Sequence, residues 1–145
     1  MSTQRPPSGS RPPGRQQAHA KRYVETDGRD GQIWEGVTTL LLTTTGRRSG
    51  QPRTTPLIYG RAGEKYLIVG SRGGAPTHPG WYENLVANPV VRVQVMADRF
   101  KARARTATPA ERPALWKTMA AIWPPYDEYQ QRTAREIPVV ILERT

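Results

Sequence analysis

The residues most suited to chemistry in this sequence are arginines that stand among glycines. Residues 46–53 read GRRSGQPR, so Arg47, Arg48 and Arg53 share a short stretch with the hydroxyl of Ser49. Guanidinium groups pair with phosphates and carboxylates, and glycines let backbone amides turn towards an anion. The segment indicates an anion-binding loop or, equally, an exposed hairpin tip with solvated charges. It is not a Walker loop, because the glycine-to-lysine spacing is absent and no helix is predicted to follow.

A second glycine-containing loop directly follows an apolar run. Residues 71–74 read SRGG after the strand-like segment KYLIVG. Two adjacent glycines allow the backbone to approach a ligand closely, and Arg72 adds another anion-binding charge. A Gly-Gly pair is first of all a turn signal, so the loop gains weight only if it lies beside the first one.

Two groups of aromatic residues are candidates for holding a planar ligand. Residues 79–85 read PGWYENL, in which Trp81 and Tyr82 could stack on a ring and Asn84 could read its polar edge. Trp123, Tyr126 and Tyr129 surround a Pro-Pro step and fit a lid over an apolar substrate. For each group, ordinary packing against a sheet is the competing interpretation.

Several kinds of catalytic centre are excluded or disfavoured by composition. The chain has no cysteine, and its two histidines, His19 and His78, lie far apart without carboxylates at ligand spacing, so no metal site is predicted. No Ser-His-Asp set or carboxylate pair is visible either. An enzyme of this composition needs a bound cofactor for the difficult chemistry.

The charge balance points to an anionic partner. The 145 residues carry 22 Lys and Arg against 12 Asp and Glu, which gives a net charge of +10. A phosphorylated ligand would account for it, and so would nucleic acid on the alternating residues Arg92, Lys101, Arg103 and Arg105, although no nucleic-acid motif accompanies them. No apolar run reaches the roughly 18 residues of a membrane span and no secretory signal is present, so a cytoplasmic protein is expected.

The elements that must position these residues follow from the apolar patterns. Strands are predicted at 37–45, 53–59 (with Pro56 at an edge or bulge), 65–70 and 137–142, and a hairpin at 91–105 turning at Asp98-Arg99. Helices are predicted at 79–88 and, after a capping box at Thr108 and Glu111, up to Trp123. This order predicts an α+β fold with a mostly antiparallel sheet rolled into a small barrel.

The first 20 residues are assigned to a separate segment. They are rich in Pro, Gly, Ser, Gln and Arg and lack apolar periodicity, so a disordered basic tail is predicted at 1–20 and a single domain at 21–145. Residues 21–34 are ambiguous and fit a short helix. The tail's positive charges either contact an anionic membrane surface or merely solubilise the chain.

Taken together and in this order, the motifs resemble the deazaflavin-dependent nitroreductase family, which uses coenzyme F420. The matching runs are LLLTTTGRRSGQPRTTPLIY (40–59), YLIVGSRGG (66–74), PGWYENLVANPVVRVQV (79–95) and residues 116–140. The resemblance implies a split β-barrel related to flavin reductases and pyridoxamine phosphate oxidases. A conventional FMN enzyme on the same barrel is the alternative.

The resemblance also assigns residues to the cofactor. The phosphate and glutamate tail would be contacted by Arg47, Arg48, Ser49, Arg53 and Arg72. The deazaflavin ring would be lined by Thr54, Thr55, Pro56, Leu57, Ile58, Val69, Gly70 and Ser71. The ring edge and ribityl chain would be held by Gly80, Trp81, Tyr82, Glu83 and Asn84, with Tyr126 closing over the site.

The implied reaction is hydride transfer from the reduced cofactor to an electron-poor small molecule, namely an activated alkene, a quinone or a nitro compound. Ser71, Tyr126 and Tyr129 are the expected hydrogen-bond donors to the substrate oxygen. The substrate pocket is assigned to Ile58, Trp123, Tyr126 and Tyr129. The best-known nitroimidazole-reducing member has tyrosine in place of Ile58 and of Trp123, and lysine in place of Arg72. These differences favour alkenes and quinones over nitroimidazoles.

Overall fold

The structure, a computed structural model, describes residues 15–145. Residues 1–14 of the predicted tail lie outside the described residues. Residues 15–20 belong to helix α1 (Arg15–Glu25), which corrects the predicted end of the tail at residue 20. The helix has a surface to pack on, because Ala20 and Tyr23 are buried with Leu41 of the sheet. Apolar burial of this kind offsets the entropy lost on ordering a segment.

Eight strands and four α-helices make up residues 15–145. The strands are β1 (Ile33–Trp34), β2 (Val37–Thr45), β3 (Pro52–Ile58), β4 (Gly60–Ala62), β5 (Lys65–Val69), β6 (Val90–Val95), β7 (Asp98–Thr106) and β8 (Val139–Arg144). The helices after α1 are α2 (Gly80–Ala87), α3 (Arg112–Ile122) and α4 (Pro125–Gln131), and a single 3₁₀ turn covers Arg72–Gly74. In this part of the chain no helix is long and apolar enough to cross a membrane.

The strands form one curled antiparallel sheet in the order β1-β2-β6-β7-β8-β5-β4, and β3 pairs with β2 outside this path. This is the predicted α+β split β-barrel. Pro56 lies on the edge strand β3 opposite Leu41, as expected for a residue that cannot donate to a ladder.

Each face of the sheet carries its own core. On one face, Leu40, Leu42, Tyr66 and Ile68 belong to the main core together with Val91 and other β6, β7 and β8 residues. On the opposite face, Leu67 and Val69 join a second core that α3 and α4 cover, with Met119 and Tyr126 buried in it. Alternate residues of β5 therefore serve the two cores, which is why its buried residues 66–69 (YLIV) are apolar or aromatic without alternation.

The hairpin turn and one strand differ from the prediction. Val95 pairs with Asp98, so the turn is Met96-Ala97 rather than Asp98-Arg99. The Met96 backbone has a φ of 55° and its N–H donates to the Tyr23 hydroxyl at 2.7 Å, so α1 stabilises this turn from outside the hairpin. Strand β4 was not predicted, and it pairs with β5 and shortens the expected turn at 61–64 to two residues.

Candidate active site

The arginine-rich segment is a tight loop whose shape depends on Gly46, Ser49 and Gly50. Gly46 and Gln51 are joined by a backbone hydrogen bond of 2.8 Å, and the Gly50 N–H donates to the Gly46 carbonyl at 2.8 Å. Gly50 has a φ of 72°, which favours glycine. The Ser49 hydroxyl accepts a hydrogen bond from the Gln51 N–H at 3.1 Å. The serine therefore holds the turn, and Arg48 remains exposed.

Arg47 is fixed against helix α2. Its Nη1 donates to the Asn84 side-chain oxygen at 2.8 Å and lies 3.4 Å from the Gly80 carbonyl. Its Nη2 is 3.4 Å from the Glu83 carboxylate. One third of the side chain remains exposed, so the guanidinium is positioned by the protein and still accessible to a ligand.

Arg53 lies beside the same group of residues. It is exposed, and its register partner on β2 is Thr44. The buried Thr44 hydroxyl accepts a hydrogen bond from the Asn84 side-chain nitrogen at 3.1 Å. Strand register thus links Arg53 to Thr44, and hydrogen bonds link Arg47 to Asn84, so both arginines adjoin the same buried pair.

The Ser71–Gly74 loop follows β5 and has a left-handed backbone. Arg72, Gly73 and Gly74 have φ values of 48°, 63° and 85°. A Cβ on Gly74 would lie 2.7 Å from the Tyr129 carbonyl, so this glycine allows the loop to pack closely on α4. Arg72 Nη1 donates to the Thr77 hydroxyl at 2.6 Å and lies 3.4 Å from the His78 carbonyl.

Arg47 and Arg72 therefore contact the same short segment, residues 77–80, at the start of α2. The first amides of a helix have no acceptor inside it, and the helix dipole adds partial positive charge there. Two guanidinium groups beside such a helix end make a site suited to phosphate. Of the predicted anion-binding residues, Arg47, Arg53 and Arg72 are thus brought to one region, beside Gly80, which was assigned to the ring edge and ribityl chain.

The predicted substrate residues also come together, on the second core. Ile58, Trp123 and Tyr129 are half-buried around buried Val69 and Tyr126. Trp123 Nε1 is 3.5 Å from the Tyr129 hydroxyl, a long contact for a hydrogen bond. The Tyr129 ring meets Tyr126 edge-on at 6.1 Å between centroids. The rings of Trp123, Tyr126 and Tyr129, at the end of α3 and on α4, thus form an aromatic wall beside Ile58 of β3 and Val69 of β5.

The Tyr126 hydroxyl is an unsatisfied buried group. The residue is 5% exposed, and among residues 15–145 its hydroxyl has no hydrogen-bond partner. Burial raises the pKa of Tyr126, and neighbouring Tyr129 raises it further. The phenol is therefore protonated at neutral pH and available as a donor. A buried hydroxyl without a partner typically costs about 1–3 kcal/mol, so its retention calls for an explanation.

Other residues assigned to the cofactor ring lie apart from this wall. Leu57, Trp81 and Tyr82 pack against the main core on the opposite face of the sheet. The Tyr82 hydroxyl lies 2.7 Å from the Thr106 hydroxyl, and the Thr54 hydroxyl lies 2.7 Å from that of Thr43. Thr55 and Pro56 are half-buried, and Gly70 is buried at the end of β5. The ring-contacting set is therefore divided between the two faces.

Two residues at the site were missed in the sequence. Trp34 lies 5.3 Å from Trp123 between ring centroids and extends the aromatic wall into β1. Arg135 contacts the Ser71–Gly74 loop, with Nη2 donating to the Ser71 carbonyl at 2.8 Å. Trp34 falls in the ambiguous segment 21–34 and Arg135 in a polar stretch without a motif, so local pattern gave no signal for either.

Residues 15–144 match the family model described as F420H(2)-dependent quinone reductase. An F420H(2)-dependent quinone reductase of Mycobacterium tuberculosis is 45% identical over 135 residues, which are 87% of this chain and 87% of that protein.

Two solved structures are similar to this chain. A structure described as an F420-H2 dependent reductase, FDR-A, is 44% identical, covers 72% of this chain and 93% of that one, and has a TM-score of 0.68. A second, described as a domain-swapped dimer, is 40% identical, covers 88% and 96% of the two chains, and has a TM-score of 0.71.

Proposed function

Because the chain belongs to the F420H(2)-dependent quinone reductase family, we propose that it reduces quinones at one site. This site is bounded by the arginine-rich loop (residues 46–53), the Ser71–Gly74 loop and the aromatic wall. The protein is an oxidoreductase whose cofactor is coenzyme F420 and which transfers a hydride to a quinone. We further propose which residues hold the cofactor and the substrate.

The observation that carries the proposal is the placement of Arg47 and Arg72 at the start of α2. Coenzyme F420 carries a phosphate followed by a glutamate tail, which is the kind of ligand that guanidinium groups bind with charge-assisted hydrogen bonds. Arg47, Arg72 and the first amides of α2 would hold the phosphate. The exposed Arg48 and Arg53 would hold the glutamate carboxylates.

The apolar part of the site fits a flat ring and a flat substrate. Val69 ends β5 within the second core, and Ile58, Trp123 and Tyr129 surround it. When bound, the reduced cofactor supplies a hydride from C5 of its deazaflavin ring. The protein's part is to exclude water, align the substrate and stabilise the charge that develops on its oxygen.

Tyr126 is the donor best placed for that last task. Its hydroxyl is buried, protonated and without a partner among the described residues. A quinone that accepts a hydride becomes a hydroquinone anion, and one further proton completes the hydroquinone. We assign Tyr126 the hydrogen bond to the developing anion, with Tyr129 and Ser71 as additional donors.

Two finer predictions from the sequence stay open to test. Reduction of activated alkenes and nitro compounds is expected of the same aromatic wall, with nitroimidazoles disfavoured by Ile58 and Trp123. Contact of the basic tail, predicted at 1–20, with an anionic membrane surface also stays a prediction, and residues 1–14 of that tail lie outside the described residues.

A parallel titration tests the proposed site. Purified protein is titrated with coenzyme F420, FMN and a short DNA duplex, with fluorescence or anisotropy as the readout. We expect saturable binding of F420 that weakens about tenfold or more in Arg47→Ala and in Arg72→Ala, since each loses a charged hydrogen bond.

Arg103→Ala is the matched control for the loss of one positive charge. Arg103 is exposed on β7 and makes no ion pair within the described residues. Its replacement should leave F420 binding unchanged. Equal weakening in all three variants would mean that only overall charge matters, and binding of the duplex alone would overturn the proposal.

A further inference from the structure

Arg135, just before β8, binds the loop that connects β5 to α2 at four points. Its Nε donates to the Ala75 carbonyl at 2.8 Å, and Nη2 donates to the Ser71 carbonyl at 2.8 Å. Its Nη1 donates to the Gly70 carbonyl at 3.2 Å and lies 2.9 Å from His78 Nδ1. One planar guanidinium therefore contacts the beginning, the middle and the end of the loop formed by residues 70–78.

The contact between Arg135 and His78 fixes the protonation of the imidazole. A guanidinium can only donate, so His78 Nδ1 must accept, and the ring must be neutral with its proton on Nε2. A doubly protonated imidazole would place an N–H against an N–H and two positive charges 2.9 Å apart. The geometry of the loop therefore requires neutral His78.

The same loop is attached to the helix that carries the aromatic wall. Gly74 packs on the Tyr129 carbonyl, and Arg132 Nη1 is 3.5 Å from the Gly73 carbonyl. Arg135 follows this helix at a distance of a few residues. The loop that bears Arg72 and the helix that bears Tyr126 are thus held as one unit.

We propose that Arg135 and neutral His78 form a clasp that holds Ser71 and Arg72 in their cofactor-binding position, and that protonation of His78 opens it. The inference rests on the proposed cofactor site. Arg135 acts here as a positioning residue, because its contacts within the described chain go to the loop rather than to the anion-binding groups themselves.

The charges around His78 support neutrality. Burial lowers the pKa of His78 below its usual 6.5, and Arg135 lowers it further, while Glu83 on α2 acts in the opposite direction. Arg72 contacts the His78 carbonyl, and the Tyr82 ring lies 4.8 Å from the imidazole. Two guanidinium groups against one carboxylate leave the local balance unfavourable to an imidazolium.

The sign of the pH effect follows from this lowered pKa. The folded loop favours the neutral imidazole, so the clasp is intact above the usual histidine pKa and is lost as the pH falls through the lower pKa of the folded state. Cofactor binding should therefore weaken on acidification. A simple arginine site for a phosphate would not weaken over this range, because neither the arginines nor a phosphodiester titrates there.

The test measures F420 affinity between about pH 5 and pH 8 in the wild type and in His78 variants. His78→Gln offers a neutral oxygen to Arg135, and we expect it to bind the cofactor with little dependence on pH. His78→Lys mimics the protonated state, and its affinity should be about tenfold lower or worse at every pH, as for the loss of one charged hydrogen bond. Wild-type affinity should fall towards that of the lysine variant in acid.

A second measurement follows the loop without any cofactor. Amide hydrogen exchange of residues 70–78 should accelerate in Arg135→Lys and in His78→Lys, while the strands of the main core keep their protection. Arg103→Lys is the control for an Arg-to-Lys change on an exposed strand. Unchanged loop exchange in both variants, or wild-type F420 affinity that stays constant or increases in acid, would overturn the proposal.

These two measurements separate the clasp from the cofactor site. If the wild type failed to bind F420 but the variants loosened the loop, the proposed cofactor site would be wrong and the clasp would stand as a structural device. If the wild type bound F420 and Arg135→Lys bound it equally at all pH values, the clasp would have no role in binding.

Discussion

The side-chain oxygen of Asn84 accepts two hydrogen bonds from Arg47, one from its backbone N–H at 3.1 Å and one from Nη1 at 2.8 Å. The side-chain nitrogen of Asn84 donates to Thr44. Asn84 is 5% exposed. Its single buried side-chain amide thus connects β2, the arginine-rich loop (residues 46–53) and α2. The loop's anion-binding side chain is oriented by a residue 37 positions later in the chain.

We predict that Asn84→Ala weakens F420 binding about tenfold or more, because Arg47 loses the acceptor that orients it. The substitution should also lower the free energy of unfolding by about 1–3 kcal/mol, since the Arg47 N–H and the buried Thr44 hydroxyl lose their partner. Cofactor titration and chemical denaturation measure the two effects. Asn88→Ala, at the exposed end of the same helix, removes only the acceptor of the Val90 N–H at 3.3 Å and should leave F420 binding unchanged.

We predict opposite effects on activity and stability for Tyr126→Phe. Quinone reduction should fall about 10-fold to 100-fold, as when one donor to a developing anion is removed. The thermal midpoint should stay the same or rise, because the substitution removes a buried hydroxyl that has no partner in the described part of the chain.

Tyr23→Phe is the matched control for that prediction. Tyr23 is also fully buried, but its hydroxyl donates to the Thr39 carbonyl at 3.1 Å and accepts from the Met96 N–H. This variant should lose stability and keep its turnover per folded molecule. Undiminished turnover in Tyr126→Phe would remove the donor role assigned to that residue.

The sequence predicted best those features that depend on neighbours in the chain. The alternation in β6 and β7, the apolar run of β2 and the edge position of Pro56 all follow from local pattern, and the structure has them. The capping box is also present, with the Thr108 N–H donating to Glu111 at 2.9 Å and the Glu111 N–H donating back at 3.2 Å.

Long-range contacts were not accessible in this way. Arg135 donates a hydrogen bond to the Ser71 carbonyl, 64 residues away in the chain. The rings of Trp34 and Trp123 are in contact although no sequence motif contains both residues. The start of helix α1 was predicted too late in the chain because its first residues are polar. The helix is stabilised by the burial of Tyr23 on a strand that lies later in the chain. Arginines suited to anions were recognisable by type, but their grouping at α2 required the fold.

The capping box predicts a specific acid sensitivity. Hydrogen bonds from Arg105, and then from Thr108, lower the pKa of Glu111 from 4.5 to about 2. A lowered carboxyl pKa contributes stability that is complete above the usual value and is lost as the pH falls towards the folded-state value. Thermal midpoints of the wild type should therefore decrease between about pH 4.5 and pH 2 more steeply than those of Glu111→Gln.

Glu64→Gln is the control for this titration. Glu64 is exposed and makes no ion pair within residues 15–145, so its replacement should leave the wild-type pH dependence in place. Parallel curves for the wild type and Glu111→Gln would show that the Arg105–Glu111 pair does not contribute to acid stability.

The contact of Trp34 with Trp123 predicts a role in substrate affinity. Trp34 is 42% exposed and contributes little to the core, yet its ring lies 5.3 Å from a residue of the aromatic wall. Contact between aromatic rings is worth about 0.5–1.5 kcal/mol, so Trp34→Ala should raise the KM for a quinone roughly twofold to tenfold. The dissociation constant of F420 should be unchanged, because Trp34 lies on the aromatic wall and not at the loops that carry Arg47 and Arg72.

Ile33→Ala, an exposed neighbour on the same strand, is the control and should alter neither constant. A change in F420 affinity with an unaltered KM would place Trp34 at the cofactor instead of the substrate.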